Sequence, residues 1–253
     1  MCVRESPGDE GLSRIQPQPG EPMPKILIAL VRHGAYLQPA NVPSAHLPHP
    51  LDESGRKQAL QGAETIGQFA HEAGLAVVPE IDSSPLLRAW QSATIVSDHL
   101  RARFGTPFRV REIQALCERS LGSAANLTMA EIAAAIGRDP RYPPLPPKWK
   151  QLPDFRLPLP GAESLMESGQ RAARHIETEI AQIESACAVP TLKVFVGHGG
   201  AFRHAAVHLG FWSAVEAGRH SMYYGAPVFL EKMPDGHWIL RAGKWKTRSE
   251  MKD

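Results

Sequence analysis

The chain has 253 residues, 43% of them hydrophobic and 21% charged, with a formal net charge of +2. That is ample for one substantial α/β core, and the near-balance of charge excludes an overall field for nucleic acid, so any anion must be recognised by a few placed side chains. Cys2, Cys117 and Cys187 lie far apart without a C-x-x-C pairing, so no disulfide framework or zinc knuckle is readable and a cytoplasmic protein is expected.

Residues 1–24, rich in Pro, Gly and Glu without an apolar centre, are expected to be a disordered leader, neither signal nor anchor. Residues 25–253 are expected to form one domain. The continuous apolar run 26–31 reads as a buried parallel strand ending at Arg32-His33-Gly34. After a Pro-rich stretch, a helix is expected from Asp52 or Ser54, either of which suits a cap, to about residue 71. Val77, Val78 and Ile81 suggest a second strand, 86–103 a helix with Arg88 in its first turn, 108–110 a third strand and 129–136 a short helix. Eight prolines in 140–160 mark an irregular insertion of the kind that covers sites. A helix over 163–183, a fourth strand over 192–196, a helix opening at Gly197-His198-Gly199-Gly200 and a hairpin of 228–230 with 237–240 complete the alternation. The fold expected is a three-layer α/β/α sandwich with a mostly parallel central sheet. The apolar runs are too short to span a membrane.

Ligands of open α/β sheets sit beyond the carboxyl ends of the strands, where Arg32, His33, Arg88 and His198 fall. Paired guanidiniums suit a phosphoryl group, and a neutral imidazole held in line with phosphorus is a competent nucleophile. Taken alone, Arg-His-Gly also fits a strand-end histidine bonded to backbone.

Further motifs occur in order: Leu51-Asp52-Glu53-Ser54-Gly55-Arg56-Lys57-Gln58-Ala59, Ser84-Pro85-Leu86-Leu87-Arg88-Ala89-Trp90-Gln91-Ser92-Ala93, and Gly197-His198-Gly199. With Arg32-His33-Gly34 they resemble the signatures of the histidine phosphatase, or phosphoglycerate mutase-like, superfamily across residues 25–231. The resemblance implies a catalytic domain in which His33 becomes phosphorylated in a pocket of Arg32, Arg88, His198 and Gly199. It also implies a carboxylic proton donor for the leaving oxygen, which a covalent phosphoryl mechanism requires on chemical grounds too. Glu118, in Leu116-Cys117-Glu118-Arg119-Ser120-Leu121-Gly122, resembles that donor. Glu163, in Gly161-Ala162-Glu163-Ser164, is its rival, although it also reads as a first-turn carboxylate at a helix N-terminus. Arg119 resembles a substrate-contacting position, whereas Arg203 reads as a solvated helix face. His46, His49, Tyr36 and Trp149 lie in loops whose spacing assigns them nothing.

The expected activity is hydrolysis of a phosphorylated small molecule or protein, with no metal or cofactor; no His-Glu-x-x-His or similar ligand cluster occurs. Ala35-Tyr36 departs from the Glu-Ser continuation of the mutases and favours a phosphatase, while Glu118-Arg119 through Thr128 keeps a mutase-like cadence. Mutase-type transfer and a catalytically silent phospholigand-binding module are the alternatives.

Overall fold

In the computed structural model, which describes residues 25–248, the first apolar run forms β1 (Ile26–Arg32) at the middle of the main sheet. Its side chains alternate between two cores. Ile26, Ile28 and Leu30 pack with Ala172, Ile176, Ile180 and Phe202 on one face, and Leu27, Ala29 and Val31 pack with Ala63, Ile66, Val96 and Leu100 on the other. A strand apolar on both faces has to be covered on both, and each fully buried Leu or Ile contributes roughly 1.5–3 kcal/mol. Helices α4 (Leu165–Ala186) and α5 (Gly199–His208) form one outer layer, and α1 (Glu53–Glu72) and α2 (Leu87–Phe104) form the other. The three expected layers are present.

The sheet order is β4-β3-β5-β1-β7-β8, with β2 also on β5. The strands are β2 (Ala76–Val77), β3 (Glu80–Ser83), β4 (Arg109–Glu112), β5 (Thr191–Gly197), β7 (Pro227–Lys232) and β8 (Trp238–Ala242). Pairings among β1 to β5 are parallel, whereas β7 and β8 are antiparallel and form the expected hairpin. The single strand expected around 77–81 is two. Val77 pairs with Leu192 but Asp82 with Phe195, so the chain bulges at Val78-Pro79, where proline has no N–H for a ladder. A small antiparallel sheet of β6 (His220–Met222) and β9 (Trp245–Thr247), preceded by α6 (Ala214–Arg219), was not legible in the sequence.

Asp52, not Ser54, caps α1, its Oδ1 accepting the Gly55 N–H at 2.7 Å. Helix α4 starts later than expected because Ser164 and Glu167 form a capping box, which leaves Glu163 outside the helix. The Pro-rich 140–160 region is not a bare linker. Trp149 and Leu157 bury themselves against Leu121, Ala124, and Ile132 and Ile136 of α3 (Met129–Gly137), a satellite core at the carboxyl end of the sheet. The expected leader lies outside the described residues. No helix among those described is long and apolar enough to cross a membrane.

Strand register brings the site together. Arg32 pairs with Gly197 and Ser83 with Val196, so His33, Ser84 and His198 each leave adjacent parallel strands at the same level. The His33 N–H continues the ladder to the Gly197 carbonyl at 2.9 Å, and the Ser84 N–H to the Val196 carbonyl at 2.9 Å. The turn after His33 packs backbone to backbone on α1. A Cβ on Gly34 would lie 2.2 Å from the Gly55 carbonyl oxygen, so both positions require glycine.

Candidate active site

His33 is 1% exposed, beneath the Arg88 guanidinium and beside the rings of Tyr36 and Tyr224 at 5.3 and 5.6 Å. Its Nδ1 lies 2.7 Å from the Gly34 carbonyl, which can only accept, so Nδ1 carries the proton. Its Nε2 accepts from Arg88 Nε at 3.2 Å and therefore presents a lone pair. Burial, reinforced by Arg88 and Arg32, holds the imidazole well below its usual pKa, so it is neutral in the working range.

Arg88 is fully buried at the start of α2 and serves as the hub. It donates through Nη1 to the Leu47 carbonyl at 2.9 Å, and through Nη2 to the Ala45 carbonyl at 2.8 Å and His198 Nδ1 at 3.3 Å. His198 accepts at Nδ1, so its proton sits on Nε2 and is donated to Ser84 Oγ at 2.9 Å. Its pKa too is held well below normal, first by burial and then by Arg88 and His33. Arg32 lies flat on Tyr224, its guanidinium carbon 3.8 Å from the ring centroid, and donates Nη1 to the Met222 carbonyl. Its buried Nε has no hydrogen-bond partner among the described residues. Gly199 packs against Arg32, a Cβ there falling 3.3 Å from Arg32 Cδ.

Glu118 reaches the N-terminus of α5. One carboxylate oxygen accepts the Gly200 N–H at 3.1 Å and the other the Arg119 N–H at 2.9 Å. Glu118, Arg32, Gly199 and Gly200 line one cavity of about 190 Å³, and Arg32 is the chain neighbour of His33. Glu163 is elsewhere engaged, and the first-turn reading of it is corrected. It pairs with Arg171 through both oxygens at 2.8 and 2.9 Å and accepts the Ser120 N–H at 3.0 Å. Burial pushes its pKa up, but Arg171 and Ser120 outweigh that and hold it ionised. Arg171 also donates to the carbonyls of Ala115, Cys117 and Glu118, so this pair braces the segment that carries Glu118.

Arg203 is likewise not a solvated face: it is 8% exposed, lines the cavity and donates to the His220 carbonyl at 3.0 Å. Arg119 is 7% exposed and stacks over Trp149. His46 donates to the Glu118 carbonyl at 2.8 Å. Sequence reasoning gave no role to Tyr36, Ser84 and Tyr224, although Ser84 opens a motif whose arginine was recognised.

Among the described residues, Asp82, His175 and Glu179 form the one cluster with metal-ligand chemistry. Its carboxylates are already neutralised by Lys193 Nζ, 2.9 Å from Asp82, and by Arg111, 2.8 Å from it, so a dication would meet two resident cations.

The family profile described as histidine phosphatase superfamily (branch 1) matches residues 28–243. No curated protein matches the sequence significantly. Among solved structures, mycobacterial glucosyl-3-phosphoglycerate phosphatase is similar at 22% identity and TM-score 0.63, over 89% of this chain and 99% of that one. Alpha-ribazole phosphatase from Shigella flexneri is similar at 19% identity and TM-score 0.61, over 85% and 94%. A structure titled mycobacterial hydrolase 2 is similar at 23% identity and TM-score 0.61, over 90% and 93%. At these identities the likeness is one of fold.

Proposed function

The chain belongs to the histidine phosphatase superfamily, and from that premise we propose that it hydrolyses small phosphate monoesters through a phosphohistidine on His33. The observation that carries this reading is the neutral, Nδ1-protonated His33, whose Nε2 lone pair faces the Arg88 donors between Arg32 and His198. Attack by Nε2 on phosphorus forms the P–N bond and breaks the ester P–O bond. The guanidiniums of Arg32 and Arg88 neutralise the equatorial oxygens, and His198 steadies the Arg88 fork by accepting its Nη2–H at Nδ1. Positive charge that develops on the imidazole is met by the Gly34 carbonyl at Nδ1–H.

The leaving alkoxide takes a proton from Glu118, which shares a cavity with Arg32. Water then attacks the phosphohistidine and gives its proton to Glu118, which frees phosphate and neutral His33. A cavity of about 190 Å³ is below the roughly 300–1,000 Å³ of sites for drug-sized ligands and suits a small ester.

Purified protein assayed with chelator present should release phosphate from p-nitrophenyl and alkyl phosphates, and an acid-labile phosphoryl adduct should be trapped. His33→Ala should abolish both; full activity in that variant would overturn the proposal. Glu118→Gln should slow alkyl esters about a hundredfold more than nitrophenyl esters, whose leaving group needs no proton. Equal slowing would remove Glu118 from the acid role, and isomerised ester without free phosphate would indicate transfer to a second hydroxyl instead.

A further inference from the structure

We propose that Tyr36 and Tyr224 are positioning residues of the phosphoryl site: each offers its ring face to one phosphate-binding guanidinium, so that two like charges are held beside His33 without an acidic partner. The inference rests on the phosphatase reading and adds to it the groups that keep its phosphate donors in place.

The guanidinium carbon of Arg32 lies 3.8 Å from the centre of the Tyr224 ring, and that of Arg88 lies 4.6 Å from the centre of the Tyr36 ring. The same rings border His33, Tyr36 edge-on at 5.3 Å and 80°, Tyr224 tilted at 5.6 Å and 50°. Both cations need compensation. Burial lowers the pKa of Arg88, and the charge of Arg32 lowers it further. Among the described residues, however, neither guanidinium pairs with a carboxylate: Arg88 donates to two carbonyls and two imidazoles, and Arg32 to one carbonyl. An aromatic face is negative at its centre and attracts a guanidinium lying over it, most strongly where water is excluded. For a phosphate site the kind of partner matters. A carboxylate would take the planar N–H fork and repel an incoming phosphate dianion. A neutral ring compensates the charge from above the plane and leaves N–H edges available, as at Arg32 Nε, which has no partner among the described residues.

Each ring is fixed by the segment that carries it. Tyr36 is 6% exposed, bridges to Leu51, packs with Val42 and Leu47, and donates its hydroxyl to Ser44 Oγ at 2.8 Å. Burial raises its pKa, which keeps the phenol neutral. Residues 222–225 wrap Arg32: the Met222 carbonyl accepts from Nη1, the Tyr224 ring lies against the guanidinium, and the Gly225 N–H donates to the Arg32 carbonyl at 2.9 Å. Tyr36 follows β1 and Tyr224 precedes β7, and the antiparallel pairing of Val31 with Pro227 puts both at the same end of the sheet.

The test is titration calorimetry with inorganic phosphate, which needs no turnover, on the parent protein and on Tyr36→Leu, Tyr224→Leu, Tyr36→Phe and Tyr224→Phe. The leucine variants should weaken phosphate by about five- to thirtyfold, the increment of a desolvated cation–π contact, because phosphate must then order the guanidinium itself. The phenylalanine variants keep the face and lose only the hydroxyl, so they should stay within about threefold of the parent. Phenylalanines carrying one, two or three fluorines at either position should weaken phosphate step by step, since fluorine drains the face at nearly constant shape. That series keeps the test decisive if leucine at the buried position 36 does not fold. A fluorine series with flat affinity, phenylalanine variants as weak as the leucine ones, or Tyr224→Leu binding phosphate as the parent does overturns the inference and leaves the phosphatase reading intact. A parent protein that binds no phosphate defeats that reading, and the inference with it.

Discussion

At His33 the useful chemistry comes from denied solvation: burial beneath Arg88 keeps the imidazole neutral, and the Gly34 carbonyl directs the lone pair to Nε2. Arg88 holds that arrangement from a single planar fork, since its donors reach His33, His198 and two loop carbonyls together. A lysine offers one point charge and cannot span them. Arg88→Lys should therefore lower kcat/KM for p-nitrophenyl phosphate by about a hundredfold or more while the protein stays folded. Activity within twofold of the parent would show that charge alone suffices. Arg32, His33, Arg88 and His198 were legible in the sequence because each sits where an apolar run or a Ser-Pro break ends, and such ends meet in parallel sheets. Tyr36 and Tyr224 were not, because their neighbours come from loops whose path no periodicity records.

Between elements, the Glu163–Arg171 pair shows how a family motif can be right about place and leave the role open. The Gly-x-Glu-Ser segment does lie beside the site, but the capping box of Ser164 and Glu167 starts α4 at Leu165, two residues after Glu163. Its carboxylate instead braces the 115–120 segment through Arg171. Glu163→Gln should cost about 1–2 kcal/mol in urea unfolding, given that both side chains are about a quarter exposed and partly screened. Its ratio of alkyl to nitrophenyl turnover should stay at the parental value; a shift like that expected for Glu118→Gln would transfer the acid role to Glu163. The Pro-rich insertion was recognisable as irregular and as site-covering, yet its packing around Trp149 was not, since a lone tryptophan among prolines carries no pattern.

For the molecule as a whole, three buried histidines set the response to acid. His33 and His198 are held well below 6.5, and His204, buried beside Arg203, is lowered to about 4. All three take up protons more readily unfolded than folded, so stability is full above pH 6.5 and falls as pH drops through the window between 6.5 and about 4. Asp82, whose pKa is depressed by His175, Arg111 and Lys193 against the cost of its burial, adds a further loss only in stronger acid. Thermal melts from pH 7 to pH 4 should show a steady decline in Tm, and His204→Asn should flatten it; a Tm independent of pH across that window would contradict the neutral histidines. The three layers were legible from alternating strand and helix patterns, whereas the order β4-β3-β5-β1-β7-β8 was not, because it joins β1 to a strand some 160 residues away, Ile26 opposite Thr191. That long-range register has a consequence for how the protein can change. The reactive groups are fixed by ladder bonds in the sheet interior, where a substitution threatens the whole fold, while the outer wall of the cavity hangs on one turn of an insertion and the last strand. Lys150 and Arg248, which line that wall, can therefore change over generations while the turns that carry His33 and His198 stay fixed by the register of the sheet.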